Sequence, residues 1–389
     1  MAKVENVVLA DVLQPKGYIR GPFGSALKRP EMLSAGIPVY EQQHAIYNIR
    51  DFRFFISNEK FEKLKRFQVQ TNDLVISCSG TVGKVTIIEE GDPKGIISQA
   101  LLILRVDSSK ILPQYLKYFF ESAEGYNSIV SRSSGSVQVN ISKREVIEQI
   151  PLKLPELSVQ QKIVDILKGF DDKFAINCKM DSILKEQAFA LYKKMIIEND
   201  GAITGVLSDI ADVTMGQSPR GETYNENGEG TVFYQGRGEF GYRFPSRRLF
   251  TTDPKRMASV NDVLLSVRAP VGDLNIAYES CCIGRGLAAI HSKDNHQSFV
   301  LYTMYSLKDK FDVYNGEGTV FGSINKNSLN NMEVLIPSMD IIEEFENLAS
   351  AIDLKIRYNY EESIRWEKMK KAMLPKLLSG KFDVSNLVI

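Results

Sequence analysis

Four cysteines and three histidines are scattered through 389 residues, and that scarcity removes several kinds of protein at once. Cys78, Cys178 and the adjacent Cys281 and Cys282 have neither metal-ligand spacing nor a disulfide framework, so they read as buried thiols. His44, His291 and His296 form no H-E-x-x-H pair. No G-x-S-x-G elbow, methyl-donor glycine loop or Asn/Asp-Pro-Pro-aromatic tetrad is present either. SGTVGKVT over 79–86 fails as a phosphate loop, because two residues rather than four separate Gly80 from Gly83-Lys84. The sequence therefore lacks a catalytic constellation. It also lacks any run of about 18 apolar residues, and its N-terminus lacks the basic-then-apolar plan of a secretory signal, so the chain is expected in the cytoplasm and off the membrane. Forty-eight basic and 48 acidic residues cancel, which leaves only local clustering to speak for or against nucleic acid.

What is present is a globular composition, 43% hydrophobic and 25% charged, at a length suited to two or three domains. The chain is also written twice. Leu9-Ala-Asp-Val12 returns as Leu207-Ser-Asp-Ile210, and DLVISCSGTVGKV (73–85) as DVLLSVRAPVGDL (262–274), matching Asp73 to Asp262, Ser77 to Ser266 and Gly83 to Gly272. GSVQVNISK from Gly135 returns as GTVFGSINK from Gly318. After IPLKLP (from Ile150) and MEVLIP (from Met332) the register holds, so that Asn177 matches Asn359. Each half is thus a variable domain followed by a length-constrained segment.

The constrained segments predict long helices. Apolar residues at 159, 163, 166, 170, 174, 180, 184, 191 and 195, with Ser158 as the N-cap, step mostly by three, four or seven. The series 341, 345, 348, 352, 356, 366, 369 and 373 does the same, with Ser338 as cap, Pro375 kinking or ending the helix and Gly380 as stop. About forty residues at 1.5 Å each give roughly 60 Å, too long to bury in one domain, so the two should pack as an antiparallel coiled coil. Asn177 and Asn359 at equivalent seam positions are expected to fix its register, and Leu in place of Asn359 should then stabilise it. The variable parts carry short strand-like runs, such as 75–78, 96–106, 263–267 and 287–291, and one short helix each near 112–120 and 299–307. The predicted class is α+β with a pseudo-twofold internal repeat. Its divisions are a domain over 1–155, a helix over 156–198, a second domain over 199–337, a helix over 338–380 and a tail over 381–389.

Residues 15–70 hold ten basic against five acidic residues, and 234–268 hold seven against three, whereas 156–198 has seven of each. Amides and guanidiniums suited to base edges lie among them, in Tyr40-Glu-Gln-Gln-His44 and Tyr234-Gln-Gly-Arg237.

GPFGSALKR (21–29), PVYEQQHAIYN (38–48), DLVISCSGTVGKV (73–85), SGSVQVNISK (134–143), the IPLKLPELSVQQKIVDIL junction (150–167) and MLPKLLSGKFDV (373–384) resemble the specificity subunit of Type I DNA restriction-modification systems, over essentially the whole chain and in the same order. The resemblance implies two target-recognition domains, each reading half of an interrupted duplex DNA site, and a helical spacer setting the gap. It also implies a non-catalytic chain that docks two methyltransferase subunits, which carry S-adenosylmethionine and methylate adenine, and motor-nuclease subunits. No cofactor is expected on this chain. Lys28, Arg29 and Lys84 are the expected phosphate contacts, and Gln42, Gln43, Gln235 and Arg237 the expected base readers. Tyr40, His44, Ser79, Thr81, Gln138, Gln217, Arg220, Tyr234, Arg268 and Arg285 complete the set expected at DNA. Arg268-Ala-Pro-Val-Gly-Asp273 departs from the first copy by losing the lysine, so Arg268 is the nearer substitute there. Two other readings remain: a related combined cutter-methylase subunit with different partners, and a duplicated coiled-coil scaffold that binds proteins and no DNA.

Overall fold

The computed structural model of the chain describes residues 4–23, 26–131, 140–315, 322–384 and 387. Two compact units divide it, Met1–Ile176 with Glu362–Ile389, and Asn177–Glu361. The class is α+β, as the sequence predicts.

In the first unit a four-stranded antiparallel sheet runs in the order Leu13–Arg20, Leu101–Val106, Leu74–Ser77, Val85–Ile87. Its two central strands, Leu101–Val106 and Leu74–Ser77, read as nearly continuous apolar runs because both faces are covered. Leu74, Ile76, Leu102 and Leu104 enter one core, with the helix Pro113–Glu121 and side chains of both long helices. Val75, Leu101 and Ile103 point the other way, toward Tyr40, Phe61 and Ile96 under a smaller sheet. Successive side chains of a strand alternate faces, so one short apolar run serves two cores. In the smaller sheet Ile37–Tyr40 pairs antiparallel with Phe55–Ile56 and parallel with Ile96–Ile97. Val4–Val8 pairs with Pro151–Pro155, tying the first strand to the residues that enter the central helix.

The second unit repeats this plan. Its main sheet runs Ala211–Met215, Leu287–Ser292, Val263–Ser266, Leu274–Ile276. Val263, Leu265, Ala288 and Ile290 face one core and Leu264, Leu287 and Ala289 the other. Thr231–Tyr234 runs parallel to Cys281–Ile283, and Ile203–Val206 pairs with Glu333–Ile336. The matched Asp73 and Asp262 do the same local work, each accepting a backbone N–H three residues upstream, from Gln70 and Ser259. Their outer partners differ: Arg105 grips Asp73 at 2.7 and 2.8 Å, while His291 Nδ1 stands 2.6 Å from Asp262.

The central helix spans Leu157–Tyr192, with a π-helical turn over Lys193–Ile197, and the C-terminal helix spans Met339–Leu378. Within each unit their segments pack antiparallel. In the first, Phe170 lies 5.8 Å from Trp366, and Asp171 meets Lys370. In the second, Asn177 meets Asn359, and Tyr192 lies 5.6 Å from Phe345.

Several sequence expectations need correcting here. Phe174, Met180, Leu348 and Met369, assigned to the seam, are exposed. The buried line of the C-terminal helix keeps Phe345, Ile356 and Asn359 from the expected seam and adds Ile342, Ala349 and Ser363, a heptad rhythm partly hidden from an apolar count because two of its members are polar. On the central helix Asn177 and Asp181 take the seam for the same reason. Cys178, one step past Asn177, is turned outward and exposed, so only three of the thiols are buried. Ser158 is inside the helix, not its cap, and bonds to Glu156 Oε1. Pro375 also lies inside its helix, which continues to Leu378 before Gly380 (φ 71°) turns the chain.

Candidate nucleic-acid interface

In the first unit the strand Leu74–Ser77 leads into a loop closed by its own ends. Gly83 N–H donates to the Ser77 carbonyl at 2.9 Å, and Lys84 N–H to Ser77 Oγ at 2.9 Å. Gly83 has φ 84°, and a Cβ there would stand 3.3 Å from the Tyr126 ring. Ser79 forms a β-bridge with Asn140 and donates its hydroxyl to Asn140 Oδ1 at 2.7 Å. The second unit copies the construction, with Gly272 N–H on the Ser266 carbonyl at 3.0 Å and a bridge from Arg268 to Ser323. Ser77, Gly83, Ser266 and Gly272 are thus loop-closing residues, and the resemblance to a phosphate loop reflects this turn.

Beside the first loop opens a cleft of about 1000 Å³. It gathers five residues singled out in the sequence, Arg29, Gln42, Gln43, Ser79 and Thr81. Gln42 Nε2 donates to the Ser79 carbonyl at 2.5 Å, joining the short helix Gln42–Tyr47 to the loop. Gln43 makes only a long contact, 3.4 Å, to the Asp51 carbonyl. Lining the same cleft are Arg20, Arg53, Gln99 and Asn140, which sequence reasoning passed over, together with Glu41. Three guanidiniums against one carboxylate make the wall basic. Arg20 and Arg53 belonged to the counted basic excess but stood in no motif, nothing local marked Gln99, and Asn140 stood inside the repeated GSVQVNISK string without being assigned a contact.

Other expected contacts lie elsewhere. Lys28 is exposed and uses its backbone N–H on Glu31. Lys84 is exposed, with its ammonium 5.1 Å from the Tyr126 ring centroid, and does not line the cleft. Gln138 lies outside the described residues. Tyr40 and His44 are wholly buried, so they support the cleft and cannot meet a base edge from where they stand. The Tyr40 hydroxyl bonds to the Pro93 carbonyl, and burial pushes its pKa up to about 12. His44 Nδ1 accepts the Glu41 N–H at 2.7 Å and Nε2 donates to the Asp51 carbonyl at 2.8 Å, with the ring stacked on Phe52.

In the second unit Tyr234 is likewise buried, a correction of the same kind, and burial raises its pKa. The exposed candidates lie on neighbouring loops. Gln217 N–H donates to the Ile283 carbonyl, Arg285 N–H to Ser218 Oγ, and the Gly284 and Gly286 backbones press against Gln235 so closely that a Cβ would stand 2.9 Å from it. Val267 N–H reaches the Gly286 carbonyl, bringing up the loop that bears Arg268. Arg237 is paired at 2.6 Å with Asp273, the residue standing where the first copy has Lys84. The lost lysine has become the carboxylate that holds an arginine. Arg220 is exposed beside Glu222, 3.7 Å away.

Residues 24–185 and 203–359 each match the family of Type I restriction modification DNA specificity domains. A Methanocaldococcus jannaschii protein named "Putative type I restriction enzyme MjaX specificity subunit" is 31% identical, covering 85% of this chain and 83% of its own. The type I restriction enzyme MjaVIII specificity subunit of the same organism is 22% identical, over 84% of each chain. Among solved structures, the Type-I restriction-modification system S subunit from M. genitalium superposes with a TM-score of 0.57 at 12% identity, covering 97% of this chain and 96% of that one, a likeness of fold.

Proposed function

Because this chain belongs to the Type I restriction-modification DNA specificity family and is a specificity subunit of such a system, we propose that it recognises a bipartite duplex DNA site, one half through each unit. The observation that carries the proposal is the duplicated recognition plan: the same sheet order and loop bridge occur twice, but with different polar groups displayed. Matching main sheets and loops with different side chains would read different half-sites, since amide and guanidinium edges select bases while the scaffold positions them. The long helices would set the gap, because half-site separation is a geometric output of a rigid spacer.

The chain itself performs no chemistry on this reading. An adenine inside a duplex must leave the stack to be methylated, so a catalytic partner has to be held beside it. Two methyltransferase subunits carrying S-adenosylmethionine would take that place, joined by motor-nuclease subunits for cleavage, all in the cytoplasm. Exposed apolar side chains on the helices favour such docking: Phe174, Ile176 and Met369 in the first unit, and Met180, Ile183, Leu354 and Tyr358 in the second.

Single-molecule methylome sequencing of DNA from a host expressing this chain with its methyltransferase subunits tests the proposal. An interrupted adenine-methylated motif is expected. Exchange of residues 1–150 for those of a relative should then change one half of it and leave the other half and the gap intact. An exchange that alters both halves, or turnover of S-adenosylmethionine by the chain alone, would refute the division of labour.

A further inference from the structure

Arg53 enters no motif, yet it is the most constrained exposed cation of the cleft. Its Nε donates to Glu41 Oε2 at 2.8 Å and its Nη2 to Glu41 Oε1 at 2.9 Å, a two-bond fork on one carboxylate. The Glu41 side chain is only 18% exposed and the Arg53 side chain 63%, so the carboxylate is the anchor and the guanidinium the presented group. Both ends of the pair are fixed through buried His44, which binds the Glu41 N–H on one nitrogen and the Asp51 carbonyl, two residues before Arg53, on the other. The guanidinium also lies over the Phe54 ring at 4.9 Å.

A guanidinium has two edges that can each offer a pair of parallel donors. Glu41 occupies the Nε–Nη2 edge of this cleft-lining side chain and leaves its Nη1–Nη2 edge to a ligand. That free edge matches two adjacent acceptors, and in the major groove the base presenting them is guanine, with O6 and N7. The carboxylate also decides between base and phosphate. It cancels the net charge of the pair, which removes most of the attraction for a phosphate, while holding the fork in the fixed plane that a bidentate base contact needs. The second unit provides a contrast. Arg248 stands at the equivalent place, two residues before the strand residue paired with Val232, as Arg53 precedes the residue paired with Pro38. The two terminal nitrogens of Arg248 go to two different carboxylates, Glu239 at 2.7 Å and Glu226 at 3.2 Å, so the two-bond fork on a single carboxylate is not repeated there.

The geometry points to Arg53 as a specificity-determining residue that reads one guanine of the first unit's half-site, with Glu41 as its positioning residue. The inference rests on the proposed reading of bipartite DNA. It is tested in the complex of this chain with its methyltransferase subunits, by mapping methylated sites and by measuring binding against salt concentration. Arg53→Ala should relax one G·C position in one half-site, lowering discrimination there by about ten- to a hundredfold. The salt slope should stay unchanged. Glu41→Gln, which keeps the residue's size but loosens the fork, should relax the same position to a smaller degree, and it serves if Arg53→Ala does not fold. An unaltered motif overturns the inference and leaves the bipartite reading standing. So does an equal loss on all sequences with a salt slope lower by about one, which would make Arg53 a phosphate contact. A wild-type complex that methylates no interrupted site instead removes the reading on which the inference stands, and the inference with it.

Discussion

Tyr118 donates its phenolic hydrogen to Asp171 Oδ2 at 2.8 Å, tying the helix Pro113–Glu121 of the first unit to the central helix. The second unit repeats the bond 182 residues along the long helices, where Tyr302 donates to Asp353 Oδ1 at 3.0 Å. Burial raises both tyrosine pKa values, which favours the protonated hydroxyl that donates these bonds. A second contact in each unit reinforces the tie. Gln160 Oε1 accepts the Leu112 N–H in the first, and the Glu346 carboxylate accepts the Ser298 and Phe299 N–H groups in the second. Side chains of the long helices thus cap the short helix of each recognition fold, satisfying donors that helix starts leave open.

Tyr118→Phe is expected to destabilise the first unit by about 1 kcal/mol, the net worth of one hydrogen bond, because Asp171 keeps Lys370 at 2.6 Å. Trp366, the single tryptophan, packs against Phe170 in that unit, so denaturant unfolding followed by its fluorescence reads the change directly. An unfolding midpoint that does not move would show that the bond contributes nothing.

Asn359→Leu reverses the expectation drawn from the sequence. A seam asparagine without a partner would gain from replacement, but Asn359 Nδ2 donates to Asp181 Oδ1 at 2.7 Å, a bond leucine cannot make, whereas the Asn359 backbone carbonyl, which accepts from Asn177 Nδ2 at 3.2 Å, is kept. Leucine would leave the buried Asp181 carboxylate without that donor. A net loss of about 1 to 2 kcal/mol is therefore expected at neutral pH by thermal melting.

Burial holds the Asp181 carboxyl above its ordinary pKa, partly offset by the Asn359 hydrogen bond. The folded state thus binds this proton more tightly than the unfolded state does. Its contribution to stability is full below the unfolded value, about 3.9, and is lost as pH rises through the folded value. Asp181→Asn should match the wild type near pH 4 and exceed it near pH 7. A variant less stable than wild type at pH 7 would mean that the charge is stabilising where it sits.

Because the helices pack antiparallel within each unit, lengthening one alone should break the pairing of Asp171 with Lys370 and destabilise the first unit. Seven residues inserted after Lys173 and seven after Glu362 would keep Asp171 with Lys370 and Asn177 with Asn359, preserve the heptad rhythm and add about 10 Å to the spacer. The methylated motif should then keep both half-sites and widen its gap by about three base pairs, at about 3.4 Å per pair. A change in the bases themselves would refute the assignment of distance to the helices.

The duplication, the alternation of strand-rich and helical segments and the place of the Ser77 and Ser266 loops were legible in the sequence because they are periodic or repeated, and repetition survives without knowledge of contacts. Arg29, Gln42, Gln43, Ser79 and Thr81 were found as polar groups near motifs, and folding does bring them to one cleft. Burial was not legible: Tyr40, His44 and Tyr234 read as recognition residues and are core, because a side chain's strand face depends on what covers it. The seam was read correctly at Asn177 and Asn359 but misread elsewhere for a related reason. Asn177, Asp181, Asn359 and Ser363 occupy it, and a polar residue enters a helix interface only when its partners stand across from it, a condition no single helix records. Glu41 and Arg53 are separated by a helix and a strand entry and meet only when the chain turns back on itself. The sequence by itself determined that two recognition folds and two long helices exist. Tertiary structure alone decided which charges neutralise one another and which donor edge is left free, because a hydrogen bond depends on distances between atoms that the order of residues does not contain.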